Sequence, residues 1–255
     1  MAENGSVVLN IDHHIGTIEF FHPKGNSLPG ALLRELAQTI TDAGRHNDIN
    51  VIVIKSAGKG AFCAGASFDE LIAIDDYDTG KEFFLCFFLL LNAMRRCPKL
   101  IIVRVHGKAV GGGIGIASAG DYTFAHKDAA VKLSELALGI GPFVVGPAVE
   151  RKLGTSAFSA MAVDAASWYD AEFALRHGLF NQVFENTQKL DSAVDDLAKR
   201  LSGYSPEAME ELKNVLWEGT ENWEELLESR AEISGRLVLS DFTKDFIRKF
   251  KEKSK

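Results

Sequence analysis

Residues 106–121 read HGKAVGGGIGIASAGD, with Gly111, Gly112 and Gly113 in a row between an extended run, KLIIVRV, and a small-residue run, IGIASAG. Glycine has no side chain and tolerates backbone angles closed to other residues, so three together suggest that something must approach the main chain closely. A second stretch, VIVIKSAGKGAFCAGASFDEL (51–71), repeats the layout: β-branched strand, glycine-rich turn with small residues, helix. That recurrence implies two like loops side by side. At the strand ends of an open α/β sheet, where ligands usually bind, each loop would offer a main-chain N–H at a helix start, unpaired and favourable to negative charge. Two such donors aimed at one oxygen form an oxyanion hole, and losing one typically costs about 100- to 1000-fold in rate. A tight packed turn is the plainer reading of either loop alone. Dinucleotide binding is the weaker functional one. GGGIG can be forced into GxGxxG, but no acidic residue follows a second strand at the expected distance.

The elements that would hold these loops alternate. SVVLNIDHHIGTIEFFH predicts two short strands with a turn near His13 to Gly16, and PGALLRELAQTITDAGRH has apolar residues at helical spacing. INVIVIKSAG and KLIIVRVHG read as buried strands. DELIAI and GKEFFLCFFLLLNAMRRC read as helices, the second closed by Pro98. DYTFAH and AAVKLSE are further strands; VVGPAVERKLG and TSAFSAMAVD are helical. DAEFALRHG ends on a glycine cap before the strand LFNQVFE. From Lys189 the chain reads as successive helices ending in the basic tail RKFKEKSK. Strands alternating with helices imply a largely parallel sheet with crossovers. The helical last quarter, with Leu212, Val215, Leu216, Leu226 and Leu227 on apolar faces, is a candidate for subunit contacts.

The bulk numbers exclude several classes. A net charge of −7 lacks the basic footprint of a nucleic-acid protein. MAENGSVVLNIDHH has no secretory n-region, and EFFLCFFLLLNAM is shorter than the roughly 20 apolar residues of a membrane span. Cys63, Cys86 and Cys97 form neither a metal-spaced pair nor a disulfide framework. A soluble, cytoplasmic protein with no metal, no membrane and no nucleic-acid partner is expected. The seven histidines are scattered, with only His13 and His14 adjacent, and read as turn or surface residues. Cys63 reads as a small buried filler rather than a nucleophile.

Four blocks, AFCAGASFDEL, VHGKAVGGGIGIASAGDYTFA, KLSELALGIGPFVVGPAVERKLG and YDAEFALRHGLFNQVFE, stand in the order and spacing of the enoyl-CoA hydratase/isomerase (crotonase) family. The chain resembles that family over roughly residues 7–190. The resemblance implies an α/β fold, a crotonase-like spiral of strand-strand-helix units over residues 1–190, with 191–255 as a C-terminal helical oligomerisation region. It implies an acyl-CoA thioester substrate, an enolate intermediate, no cofactor beyond the substrate's own CoA, and a homotrimer or dimer of trimers. Carried over residue by residue, the N–H groups of Ala66 and Gly112 hold the thioester oxygen. CoA contacts fall to Lys24, to the backbone of Ala64 to Phe68, and to basic C-terminal residues such as Lys249, from the same or a neighbouring subunit. Ser67 stands where the family often has Asp, so that polar contact does not carry over. Lys24 has an alternative reading as a solvated loop charge.

Family hydratases carry two glutamates, one two residues after the third glycine and one in a later strand. Here Gly115 stands at the first place and Glu135 at the second. Hydration needs one group to activate water and another to exchange the α-proton; moving a double bond needs one base that takes the α-proton and returns it at the γ-carbon. A single glutamate is the pattern of the family's 3-enoyl to 2-enoyl-CoA isomerases. Phe143, in a turn where small residues are usual, would exclude water. The same position is the nucleophilic aspartate of the family's aromatic dehalogenases, which argues against that reaction. Isomerisation is therefore the expected activity, with hydratase as the first alternative and a catalytically silent acyl-CoA-binding scaffold as the second. The competing reading of Glu135 is a surface strand carboxylate paired with Lys132 or Arg151.

Overall fold

The computed structural model describes residues 5–253, with side chains described to Lys249; the last two residues of the basic tail lie outside the described residues. Strands β1 (Ser6–Asp12) and β2 (Ile15–Phe21) form an antiparallel hairpin turned at His13 and His14, both at positive φ. Helix α1 (Gly30–Arg45) crosses to β3 (Val51–Ser56), which pairs parallel with β2. Helices α2 (Phe68–Ala73) and α3 (Tyr77–Arg96) follow, then β4 (Leu100–Val105), parallel to β3. A two-residue strand, β5 (Ala109–Val110), leads into α4 (Gly112–Ala119) and β6 (Tyr122–His126). Then come β7 (Ala130–Lys132), α5 (Gly146–Val163), β8 (Tyr169–Asp170), α6 (Ala171–Arg176) and β9 (Gln182–Phe184). The main sheet runs β1-β2-β3-β4-β6-β9, and β5-β7-β8 make a small second sheet.

Side-chain alternation in the parallel strands explains why they read as unbroken apolar runs: both faces are covered. Ile52 and Ile54 of β3, with Ile101 and Val103 of β4, join the large core with α1 and α3. Val51, Val53, Ile102 and Phe124 face the other way, onto Leu190, Val194 and Ala198 of α7 (Thr187–Ser202). So α7, expected to lie beyond the sheet, is the helix that covers its second face. Helices α8 (Pro206–Leu216), α9 (Trp223–Leu237) and α10 (Asp241–Lys253) complete the chain. Gly80 of α3 and Gly235 of α9 meet where these helices cross; a Cβ on Gly80 would lie 2.9 Å from the Gly235 carbonyl oxygen. The two helices expected on either side of Gly154 are both present within α5, separated at that glycine by a non-helical backbone (φ 76°, ψ 159°). Leu227 is fully buried and Leu226 packs against the core, so neither belongs to an outward face. Leu212, Val215 and Leu216 remain 50%, 59% and 43% exposed on α8.

Candidate active site

The two glycine-rich loops lie side by side. The Cys63 N–H donates to the Lys108 carbonyl (3.1 Å) and the Val110 N–H to the Cys63 carbonyl (2.9 Å). Gly65 is at φ 88°, and a Cβ there would come 3.0 Å from the Val110 carbonyl oxygen. On the first loop the neighbours of Ala66 are engaged with Leu28: its N–H donates to the Gly65 carbonyl (2.8 Å), and Ser67 donates to its carbonyl (3.2 Å). Among the described residues the Ala66 N–H has no backbone partner. The Ala64 N–H donates to the Gly25 carbonyl (3.1 Å). On the second loop, Gly111 caps α4 at φ 50° and accepts from Ile114 (2.9 Å) and Gly115 (3.1 Å). Gly112 is the first residue of α4, so its N–H is one of the orphan donors of the helix start. Both N–H groups belong to residues lining one cleft.

Glu135 lines the same cleft, but from a different local structure than expected. Strand β7 stops at Lys132, and Glu135 is helical (φ −63°, ψ −39°), heading a short 3-10 turn over Leu136–Leu138. Its carbonyl accepts from Leu138 (3.1 Å) and Ile140 (3.0 Å), which fixes the residue from behind. Its carboxylate reaches the glycine run: a Cβ on Gly111 would meet Glu135 Oε1 at 2.8 Å. The residue as a whole is part-exposed, yet Oε2 is buried without a hydrogen-bond partner. Lys132 is not its partner, since Nζ donates to the Ala166 carbonyl (2.6 Å), and Arg151 lies over the Trp217 ring. Burial lifts the Glu135 carboxyl to about 7, opposed weakly by a hydrogen bond from its own backbone. Among the described residues lining the cleft, Glu135 is the only ionisable one.

The rest of the lining is apolar or neutral. Gly115 carries no side chain and has no room for one: a Cβ would lie 2.9 Å from Val145 Cγ1 and 3.5 Å from Leu91 Cδ2. Phe143 lines the cleft and folds back over Gly141 (φ 124°), where a Cβ would strike the ring at 2.7 Å. Phe68, at the start of α2, is part of the wall. Ser67 is buried and caps α2, its Oγ accepting from the Glu70 N–H (3.5 Å). Lys24 is exposed beside this loop and ion-paired with Asp69. Lys249 is exposed on α10, and α10 rests on the 3-10 turn through Phe242 and Thr243, each 2.6 Å from where a Cβ on Gly139 would be. Cys63 is fully buried, its thiol pushed up to about 12, and so is no nucleophile.

Two hydroxyls in the lining escaped sequence reasoning. Ser134 precedes Glu135, and Ser234 arrives from α9. Ser234 donates to the Arg230 carbonyl (3.2 Å) and reads from sequence as an ordinary helix residue. The available signal was Gly80 and Gly235, two glycines inside otherwise good helices, which mark a close helix crossing.

Comparison with known proteins agrees with this geometry. The family described as enoyl-CoA hydratase/isomerase matches over residues 10–255. A short-chain-enoyl-CoA hydratase of Clostridium acetobutylicum is 25% identical over 99% of this chain and 97% of its own. The human mitochondrial Delta(3,5)-Delta(2,4)-dienoyl-CoA isomerase is 26% identical over 82% of this chain and 68% of its own. Among solved structures, an enoyl-CoA hydratase from Bacillus halodurans superposes with a TM-score of 0.87 at 22% identity, over 95% of this chain and 99% of that one. With its two converging loops, its spiral of crossovers and a match running nearly end to end, the chain belongs to the enoyl-CoA hydratase/isomerase family.

Proposed function

We propose that the protein isomerises 3-enoyl-CoA to 2-enoyl-CoA thioesters. The observation that carries the reading is Glu135, the one ionisable group on the described cleft wall, held near neutrality by burial. In this reading the free N–H groups of Ala66 and Gly112 take the thioester oxygen and stabilise the enolate. Glu135 removes the α-proton and returns it at the γ-carbon, so no net proton is exchanged and no water enters. A carboxylate reaches carbons two bonds apart by a small shift. A dienoyl isomerisation moves a proton between carbons four bonds apart and calls for a second acid, which this wall lacks. Hydration calls for a second acid or base too, and its usual place is Gly115, packed shut by Val145 and Leu91.

CoA would lie against Lys24, the backbone from Ala64 to Phe68, and Lys249. Lys24 would have to exchange its Asp69 partner for phosphate. No further cofactor or metal is called for. The exposed aliphatic face of α8 supports a trimer or paired trimers. Three buried free thiols suit a reducing cytoplasm, and among the described residues no helix is long and apolar enough to cross a membrane.

Hydratase activity is the second reading, favoured by the name of the Clostridium relative. A silent acyl-CoA-binding scaffold is the third. Incubation with matched 3-enoyl and 2-enoyl thioesters, with product mass and double-bond position determined, separates them. Isomerisation faster than hydration is expected. Faster hydration would overturn the reading, and no turnover of either would favour the scaffold.

A further inference from the structure

Part of the cleft wall is built of packed aromatic rings. Phe87 of α3 lies beneath the start of α4: a Cβ on Gly112 would come 2.3 Å from its Cε1. Phe83 meets Phe84 and Phe87 edge-on, with centroids 5.4 and 5.8 Å apart and planes at 79° and 78°. Phe84 and Phe87 line the cleft yet keep only 8% and 5% of their surface exposed, so each offers the cleft a small face of a tightly packed ring. Further along α3, Leu90, Leu91 and Met94 are also buried, and Val145 and Leu91 leave no room for a side chain at Gly115. Leu71, Leu138 and Val144 line the same cleft as Ala66 and Gly112, so an acyl chain on an oxygen held there has these side chains and the two packed rings as its apolar walls.

We infer that Phe84 and Phe87 cap the acyl pocket and restrict the substrate to short acyl groups, ending a few carbons beyond the thioester. This rests on the acyl-CoA reading of the cleft and adds what selects among acyl-CoAs. The sequence leaves two readings of EFFLCFFLLL open, plain core or a helix with one face lining the acyl pocket, and says nothing of where that pocket ends. Helical spacing puts Phe84 and Phe87 on one face, and only the contact with Gly112 brings that face to the site.

The test measures binding, not turnover. Saturated butanoyl-, hexanoyl-, octanoyl- and decanoyl-CoA are titrated calorimetrically into the wild type, Phe87→Ala and Phe87→Leu. Wild-type affinity should peak among the shorter chains. A methylene that gains an apolar place is worth about tenfold or more, so the decanoyl-to-butanoyl affinity ratio should rise at least about tenfold in Phe87→Ala. Phe87→Leu should shift it in the same direction by less. Truncating a buried Phe to Ala can prevent folding, and the leucine variant then carries the test. A wild-type affinity that climbs steadily to decanoyl, or a folded variant whose length profile superimposes on the wild type, overturns the inference while leaving the acyl-CoA reading intact. No binding of any acyl-CoA by the wild type overturns both. Saturated thioesters cannot isomerise, so an error about Glu135 as base does not alter the result.

Discussion

Two carboxylates sit inside this protein under opposite conditions. Asp121, between α4 and β6, is 6% exposed and fully occupied: it accepts from the Ile101 N–H (2.7 Å) and Trp217 Nε1 (3.0 Å), and pairs with Lys213 Nζ at 3.0 Å. Lys213, itself 2% exposed, donates also to the Lys99 carbonyl (2.8 Å). This cluster ties α8 to the edge of β4. Glu135 is only half-buried as a residue, but its Oε2 is buried with no hydrogen-bond partner among the described residues. A buried charge that is paired and hydrogen-bonded holds a joint together, whereas one left unpaired has its affinity for protons raised. The same functional group thus serves as a fastener in one region and, in the function proposed, as a proton carrier in the other, and the difference lies in the neighbours.

The largest expected effect comes from Glu135→Gln, which removes the titrating group with almost no change in volume. Turnover of a 3-enoyl thioester should fall about 100- to 10,000-fold, the usual share of a general base, while affinity for a saturated acyl-CoA changes little. Retention of more than about a tenth of the activity in steady-state assays, far short of that loss, would mean that Glu135 is not the base. Asp121→Ala should act the other way round. It strands Lys213 as a buried, unpaired cation and should cost about 3–5 kcal/mol of stability, read by denaturant unfolding, with kcat per folded molecule nearly unchanged. A matching loss of kcat would break the division between the two regions.

The pH dependence sharpens the contrast. The Glu135 carboxyl lies at about 7 in the folded chain, above its ordinary 4.5. The folded state therefore binds the proton more tightly than the unfolded state, and stability from this group is full below 4.5 and declines as pH rises to about 7. Catalysis needs the ionised form, so kcat/KM should climb through the same region and level off above about 7. One titration should thus gain activity while losing stability on the order of 1–3 kcal/mol, and Glu135→Gln should flatten both curves. A rise in stability from pH 5 to 7 that vanishes in the Gln variant would contradict the sign. The smallest effect is expected from Trp217→Phe, which takes one of the donors from Asp121 and should cost about 1 kcal/mol, with the pH–rate curve unmoved.

How much of this was legible in the sequence differs between the parts. The two loops were, because glycine runs at strand-to-helix joints report backbone demands directly, and Cys63–Lys108 and Val110–Cys63 hydrogen bonds now join them. The parallel strands were, through their unbroken apolar runs. Glu135 was reached through the family resemblance, and its setting on a 3-10 turn was missed because KLSE continues a strand-like pattern past Lys132. The two-residue strands β5 and β8 are too short to leave a periodic signal. The apolar faces of the last helices, with Leu212, Val215, Leu216, Leu226 and Leu227, are a candidate for subunit contacts in the sequence, which does not say which of them the chain itself covers. Helix α9 turns Leu227 inward onto the core while α8 leaves Val215 outside, a choice set by tertiary packing. Asp121 gave no sign of its role, since its partners come from positions 20, 92 and 96 residues away.

The central claim, that one carboxylate carries a proton between two carbons of the substrate, is tested most directly by isotope tracing. A 3-enoyl-CoA deuterated at the α-carbon is converted by the wild-type protein in a single turnover in ordinary water, and the γ-carbon of the 2-enoyl product is analysed by mass spectrometry and NMR. Transfer through the buried Glu135 predicts substrate deuterium at the γ-carbon. A γ-carbon bearing only solvent hydrogen would contradict it, pointing to a second group or to water as the donor.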